Sequence, residues 1–188
     1  MNVRLFVAVE ITDETRKKLT EFQNNLKKAR AEVNWVSPEN IHITLKFIGY
    51  LDEEKIENVV NIIKDSVIHI KPFNLNYTGA GVFPTPKNPR VIFAGIIDKD
   101  ALLKKIHERL DNQLMALGVE HESRKYEVHI TVGRVKTRKN TEKLMEVLNS
   151  YNEFKFSSEV VRQVVLMKSD LSPNGAVYTK LHTINLSQ

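Results

Sequence analysis

Two tetrads carry the chemistry of this sequence: His42-Ile43-Thr44-Leu45 and His129-Ile130-Thr131-Val132. Residues i and i+2 of a strand share a face, so each tetrad sets an imidazole beside a hydroxyl and turns its aliphatics the other way. Six histidines and eleven threonines among 188 residues give about 0.35 such triplets by chance. Two, with matching aliphatics, exceed that expectation. If the two strands meet across a cleft, two imidazoles and two hydroxyls converge on one point. Histidines near their ordinary pKa suit paired work around pH 7, one neutral and activating water, the other protonated and feeding a leaving oxygen. Threonine hydroxyls can hydrogen-bond a charged oxygen between them. An anionic phosphodiester fits such a site.

Other residues are weighed by strand parity and chemical type. Lys46 shares parity with His42 and Thr44, so it is a candidate phosphate contact on the same face. Arg134 has the opposite parity to His129 and Thr131, and Gly133 could host a bulge that turns it into the cleft. Arg90 is a candidate rim contact. Tyr126 and Phe83 are candidates for base stacking or for packing, and Trp35 and Phe47 read as packing. His69, His107, His121 and His182 read as structural or surface residues. A transition metal wants three or four ligands. Glu39 and Glu127 flank the tetrads, but no HExxH or HxH pattern exists, so no metal is expected. There is no phosphate-cradling GxxxxGK[ST], no GxSxG and no cysteine, so neither a cofactor nor a thiol or serine nucleophile is expected.

Elements of ordinary kinds must position these groups. The length predicts one domain, or one built of two similar halves. The net charge of +5 is compatible with an anionic partner such as nucleic acid. The N-terminal apolar stretch, bracketed by Arg4 and Glu10, is too short for a signal or membrane segment, which makes the cytoplasm the expected location and no membrane partner expected. Strands are expected at 3–9, 33–36, 41–48 (stopped by Gly49), 73–78, 91–97 and 126–135. Helices are expected at 13–30, 53–69, 99–117 and 141–151, the first capped by Thr12 and the third ended by Gly118. Residues 79–90 carry three prolines and two glycines and read as loop. The stretches 154–168 and 176–186 are β-rich around a turn over 172–175. Arg4–Ala8 resembles Arg90–Ala94, and the tetrads repeat at an offset of 87. The expectation is an α+β fold in one domain over 1–188. It would have two pseudo-symmetric lobes from halves 1–80 and 88–188, each a mostly antiparallel sheet flanked by helices, with a central cleft.

The tetrads resemble the signature of the two-histidine phosphoesterase superfamily. The whole chain is similar to the RNA 2′,3′-cyclic phosphodiesterases, also called 2′-5′ RNA ligases. The likeness includes Trp35-Val36-Ser37-Pro38, residues 42–49, Pro89-Arg90-Val91, residues 129–134, Ser169, Gly175-Ala176 and Tyr178. The resemblance implies a bilobal fold, hydrolysis of a terminal RNA 2′,3′-cyclic phosphate to a 2′-phosphate, and no required metal. It implies His42 as proton donor, His129 as proton acceptor and Arg134 as a phosphate contact. The spacing alone leaves the donor and acceptor open. Ligation would be the same step reversed, since no adenylation-type lysine motif is present. The expected partner is RNA with a cyclic phosphate end, tRNA fragments included, and monomer is the default state. Two rivals fit the same residues: an RNA-end binding protein without turnover, and a cyclic phosphodiesterase acting on a small nucleotide.

Overall fold

The computed structural model describes every residue except Asn174 and Gln188, so the expected turn over 172–175 falls partly outside the described residues. Thr12 Oγ1 accepts from the Thr15 amide at 3.3 Å and starts α1 (Asp13–Lys27). The apolar face of α1, with Leu19, Phe22 and Leu26, is fully buried. Around it run β1 (Asn2–Glu10), β2 (Val33–Trp35), β3 (His42–Asp52), α2 (Ile56–Val67), β4 (Phe73–Thr85) and β5 (Asn88–Ile97). Then come α3 (Leu102–Leu114), β6 (His129–Val135), α4 (Thr141–Asn149), β7 (Lys155–Val161), β8 (Gln163–Ser172) and β9 (Gly175–Asn185).

The strands form two antiparallel sheets, β3-β1-β8-β9 and β2-β6-β5-β4-β7. Helices α2 and α3 pack together and against the first sheet through β9 and β3. Helices α1 and α4 back the second through β7, β6 and β4. The α+β expectation with two antiparallel sheets holds. The sheets are nevertheless not the sequence halves 1–80 and 88–188. β2 and β4 of the first half join the second sheet, and β8 and β9 of the second half join the first.

Three local expectations change. Residues 79–90 are not loop: β4 runs to Thr85 and β5 starts at Asn88, with Pro84 opposite Pro89. Proline is tolerated there because those positions close a hairpin, where a missing N–H costs little. Gly81 belongs to this hairpin because a Cβ would stand 2.7 Å from the Phe93 ring. Gly49 does not stop β3, which continues to Asp52 with Gly49 at φ +80. β6 begins at His129 rather than at 126. No helix among the described residues is long and apolar enough to cross a membrane.

Candidate active site

β3 and β6 present their tetrads by the same irregularity. On β3, Thr44 faces Ala8 and Lys46 faces Val7, so Leu45 is an extra residue. On β6, Thr131 faces Phe93 and Gly133 faces Ile92, so Val132 is extra. An extra residue reverses parity beyond it. Before the bulges the reading holds: His42 with Thr44, and His129 with Thr131, share a face, while Ile43, Leu45, Ile130 and Val132 are buried. Beyond them it inverts. Arg134 returns to the face of Thr131, as a bulge would require, with Val132 as the bulged residue.

Lys46 is turned away by the same inversion. Its ammonium lies 2.7 Å from Asp111 Oδ1 on α3 and donates to the Glu120 carbonyl at 3.0 Å, both charged side chains being buried. Burial pushes the Asp111 carboxyl up, but the bonds from Lys46 and the Glu122 amide and the charges of Lys46 and His121 hold it below the usual range. Lys46 still lines the cleft, but its ammonium is paired with the buried Asp111 carboxylate and does not stand free for a phosphate as expected.

Each bulge exposes a carbonyl that needs a partner. Leu45 O accepts from Nδ1 of the buried His107 at 2.7 Å. Val132 O accepts from Nε2 of the buried Gln23 at 2.8 Å and from the Val36 amide at 3.0 Å. His107 sits on α3 and Gln23 on α1, so each helix anchors a bulge. Tyr126 stacks on His107 with ring centroids 4.0 Å apart and donates its hydroxyl to Thr44 O at 2.8 Å. Neither Gln23 nor the anchoring role of His107 was visible in the sequence. A helical polar residue on an otherwise apolar face was the available signal.

The imidazoles are oriented alike. His42 Nδ1 lies 2.7 Å from Asn40 O, and His129 Nδ1 lies 2.6 Å from Glu127 O. A carbonyl can only accept, so Nδ1 carries the proton and Nε2 is the working nitrogen in both neutral rings. Asn40 is itself tied to Ala176 O through Nδ2 at 2.8 Å. His42 Nε2 receives the Thr44 hydroxyl at 2.9 Å. Phe6 and Tyr178 flank His42 at 5.0 and 5.4 Å, and Phe83 and Phe93 flank His129 at 5.2 and 5.8 Å. Burial accordingly lowers the His42 pKa, the bond to Asn40 opposes it and the Arg16 charge adds to it. Burial also lowers His129, the Glu127 carbonyl and carboxylate oppose, and Arg134 adds to the lowering.

His42, Thr44, His129, Thr131 and Arg134 line one cleft of about 560 Å³, together with Phe47, Phe83, Tyr126 and Tyr178. Phe83 is thus a wall beside His129. Tyr126 lines the cleft with its hydroxyl already bonded. Arg90 is exposed on β5 and outside the cleft lining, and Trp35 packs over Gly133, as packing residues should. Among the described residues no group of three or more histidine or acidic side chains is placed to hold a metal ion.

Two imidazoles, two hydroxyls and a guanidinium around one cleft define a phosphoesterase site of the two-histidine kind. The LigT-like phosphoesterase family model matches residues 9–93 and 97–178. The RNA 2′,3′-cyclic phosphodiesterase of Methanothermobacter thermautotrophicus is 36% identical over 99% of this chain and 100% of its own. That of Thermotoga maritima is 33% identical over 96% and 94%. The crystal structure of TT0787 of Thermus thermophilus superposes with a TM-score of 0.81 at 27% identity, covering 97% of each chain. The chain belongs to the LigT-like phosphoesterase family.

Proposed function

We propose that this protein hydrolyses a terminal RNA 2′,3′-cyclic phosphate to a 2′-phosphomonoester by paired histidine catalysis without a metal. The observation that carries the reading is the pairing of two identically oriented imidazoles, each with a threonine, around a cleft that also holds Arg134. The activity named for the relatives over nearly full length supports it.

In this reading His129 Nε2 takes a proton from water as its oxygen attacks phosphorus. The bond from phosphorus to the 3′-oxygen breaks, and His42 Nε2–H protonates that oxygen. Thr44, Thr131 and Arg134 hold the non-bridging oxygens, where charge accumulates in the transition state. With the 5′-hydroxyl of a second RNA in place of water, the same ring opening forms a 2′-5′ phosphodiester, the 3′-oxygen leaving and taking the proton from His42, and it needs no nucleotide. RNA fragments with cyclic ends, those of tRNA included, are the substrate class. One chain supplies every group of the site, which supports a monomer as the working unit.

Purified protein in EDTA, incubated with a short RNA ending in a 2′,3′-cyclic phosphate, should yield the 2′-phosphate. His42→Ala and His129→Ala should each lower turnover by about 10²–10⁴-fold with the thermal midpoint retained. A 3′-phosphate product, or dependence on added metal, would contradict the proposal. Tight binding with no turnover by the wild type would favour the RNA-end binding rival.

A further inference from the structure

The bulges of β3 do more than place His42 and Thr44. A second register shift follows, where Phe47 faces Phe6 and Gly49 faces Leu5, leaving Ile48 extra and buried. The residues opposite Glu10, Ala8, Phe6 and Arg4 are therefore His42, Thr44, Phe47 and Tyr50. Directly paired residues of an antiparallel sheet share a face, and alternate residues of β1 lie roughly 7 Å apart. His42, Thr44, Phe47 and Tyr50 form one row on one face, in equal steps, leading away from the catalytic histidine. A regular strand would have sent Phe47 to the opposite face.

The far end of that row consists of large rings left in solvent. Phe47 is 53% exposed and Tyr50 67% exposed. The Phe47 ring also touches Phe6 at 5.9 Å, and Phe6 in turn contacts His42 and Tyr178. Arg4, opposite Tyr50, is half-buried and held by a bond from Nη1 to Ser169 Oγ at 2.8 Å, with Ser169 itself buried. An anchored guanidinium beside two exposed rings, continuous with a phosphate-binding site, matches the chemistry of single-stranded nucleic acid. Rings stack bases without regard to sequence, and the cation meets the backbone.

We propose that the Phe47–Tyr50–Arg4 strip is a stacking platform for the nucleotides immediately 5′ of the terminal cyclic phosphate. It rests on the hydrolase reading and adds a substrate preference to it. Oligonucleotides are bound better than a mononucleotide, with little dependence on sequence, and the strand runs from the histidines along β3 towards Tyr50.

The test measures kcat and KM for 2′,3′-cyclic phosphates of a mononucleotide and of di- and trinucleotides, with wild type, Tyr50→Ala and Tyr50→Trp. For the wild type KM should fall about tenfold or more from mononucleotide to trinucleotide, the scale of one stacked base, with kcat little changed. Tyr50→Ala should erase most of that length dependence, and Tyr50→Trp should restore it. A wild type indifferent to length, or Tyr50→Ala keeping the full dependence, overturns the platform. If the wild type turns over none of these substrates, anisotropy titration with labelled 3′-phosphorylated mono- and trinucleotides decides separately. Length-dependent binding lost in Tyr50→Ala keeps the platform while the hydrolase reading falls; length-independent binding overturns it.

Discussion

β3 and β6 carry the same tetrad, the same extra residue after the threonine and the same carbonyl-bonded histidine, yet they finish differently. After its bulge β3 sends Lys46 to Asp111 and shows the cleft a phenyl ring, Phe47. After its bulge β6 has Gly133 and shows the cleft a guanidinium, Arg134. Position 133 must lack a side chain, because a Cβ there would stand 2.8 Å from Val33 Cγ1 and 3.0 Å from the Trp35 ring. Position 46 has room for a lysine because α3 offers it a buried carboxylate. The same local device is thus finished in two ways: on the proposed mechanism both strands supply acid–base chemistry, one adds charge for the phosphate, and the other adds an apolar wall.

The comparison is broken most severely at Lys46. Lys46→Met should destabilise the protein by about 3 kcal/mol at most, because it removes the buried ammonium from Asp111 and leaves only the Glu122 amide and His121 beside that carboxylate. Denaturant unfolding checks this, and KM of the folded enzyme should stay put. A raised KM at unchanged stability would return Lys46 to the site. Next comes Arg134→Ala, expected to lower kcat/KM by about 10²-fold with stability retained. Loss smaller than about threefold would remove the guanidinium from phosphate recognition. The anchors come last. His107→Phe strips the Leu45 carbonyl of its imidazole donor and Gln23→Leu strips the Val132 carbonyl of one of two donors, the Val36 amide remaining, at about 1–3 kcal/mol of stability with Gln23 at the low end. Both should also lower kcat more than KM rises, since the displaced groups are the threonine and the strand behind it. A stability loss with kcat intact would make either residue merely structural.

The sequence made the tetrads legible because the first three residues of each obey the plain two-residue period. It misplaced Lys46 because parity was carried past Leu45, and a bulge is set by cross-strand pairing and by His107 on a distant helix, not by local residue types. Arg134 was set on the cleft face because Gly133 hinted at an irregularity and the family resemblance implied an arginine there, and it does line the cleft, although the extra residue is Val132. The 79–90 hairpin was hidden by its prolines and glycines. Its logic lies in close approach, such as Gly81 beneath Phe93, which composition does not report. The repeat was visible, but the exchange of β2, β4, β8 and β9 between sheets was not, since it depends on which face each helix covers.

The central claim is that two half-buried imidazoles share the acid and base work, and the pH dependence of kcat/KM tests it most directly. Burial places both free-enzyme pKa values below the ordinary 6.5. Turnover needs one ring protonated and the other neutral, a state most populated midway between the two values. The profile should therefore be a bell with its maximum below pH 6.5, falling about tenfold per pH unit on the alkaline side. A profile flat from about pH 5 to 9, or one rising through pH 8, would contradict paired imidazole catalysis.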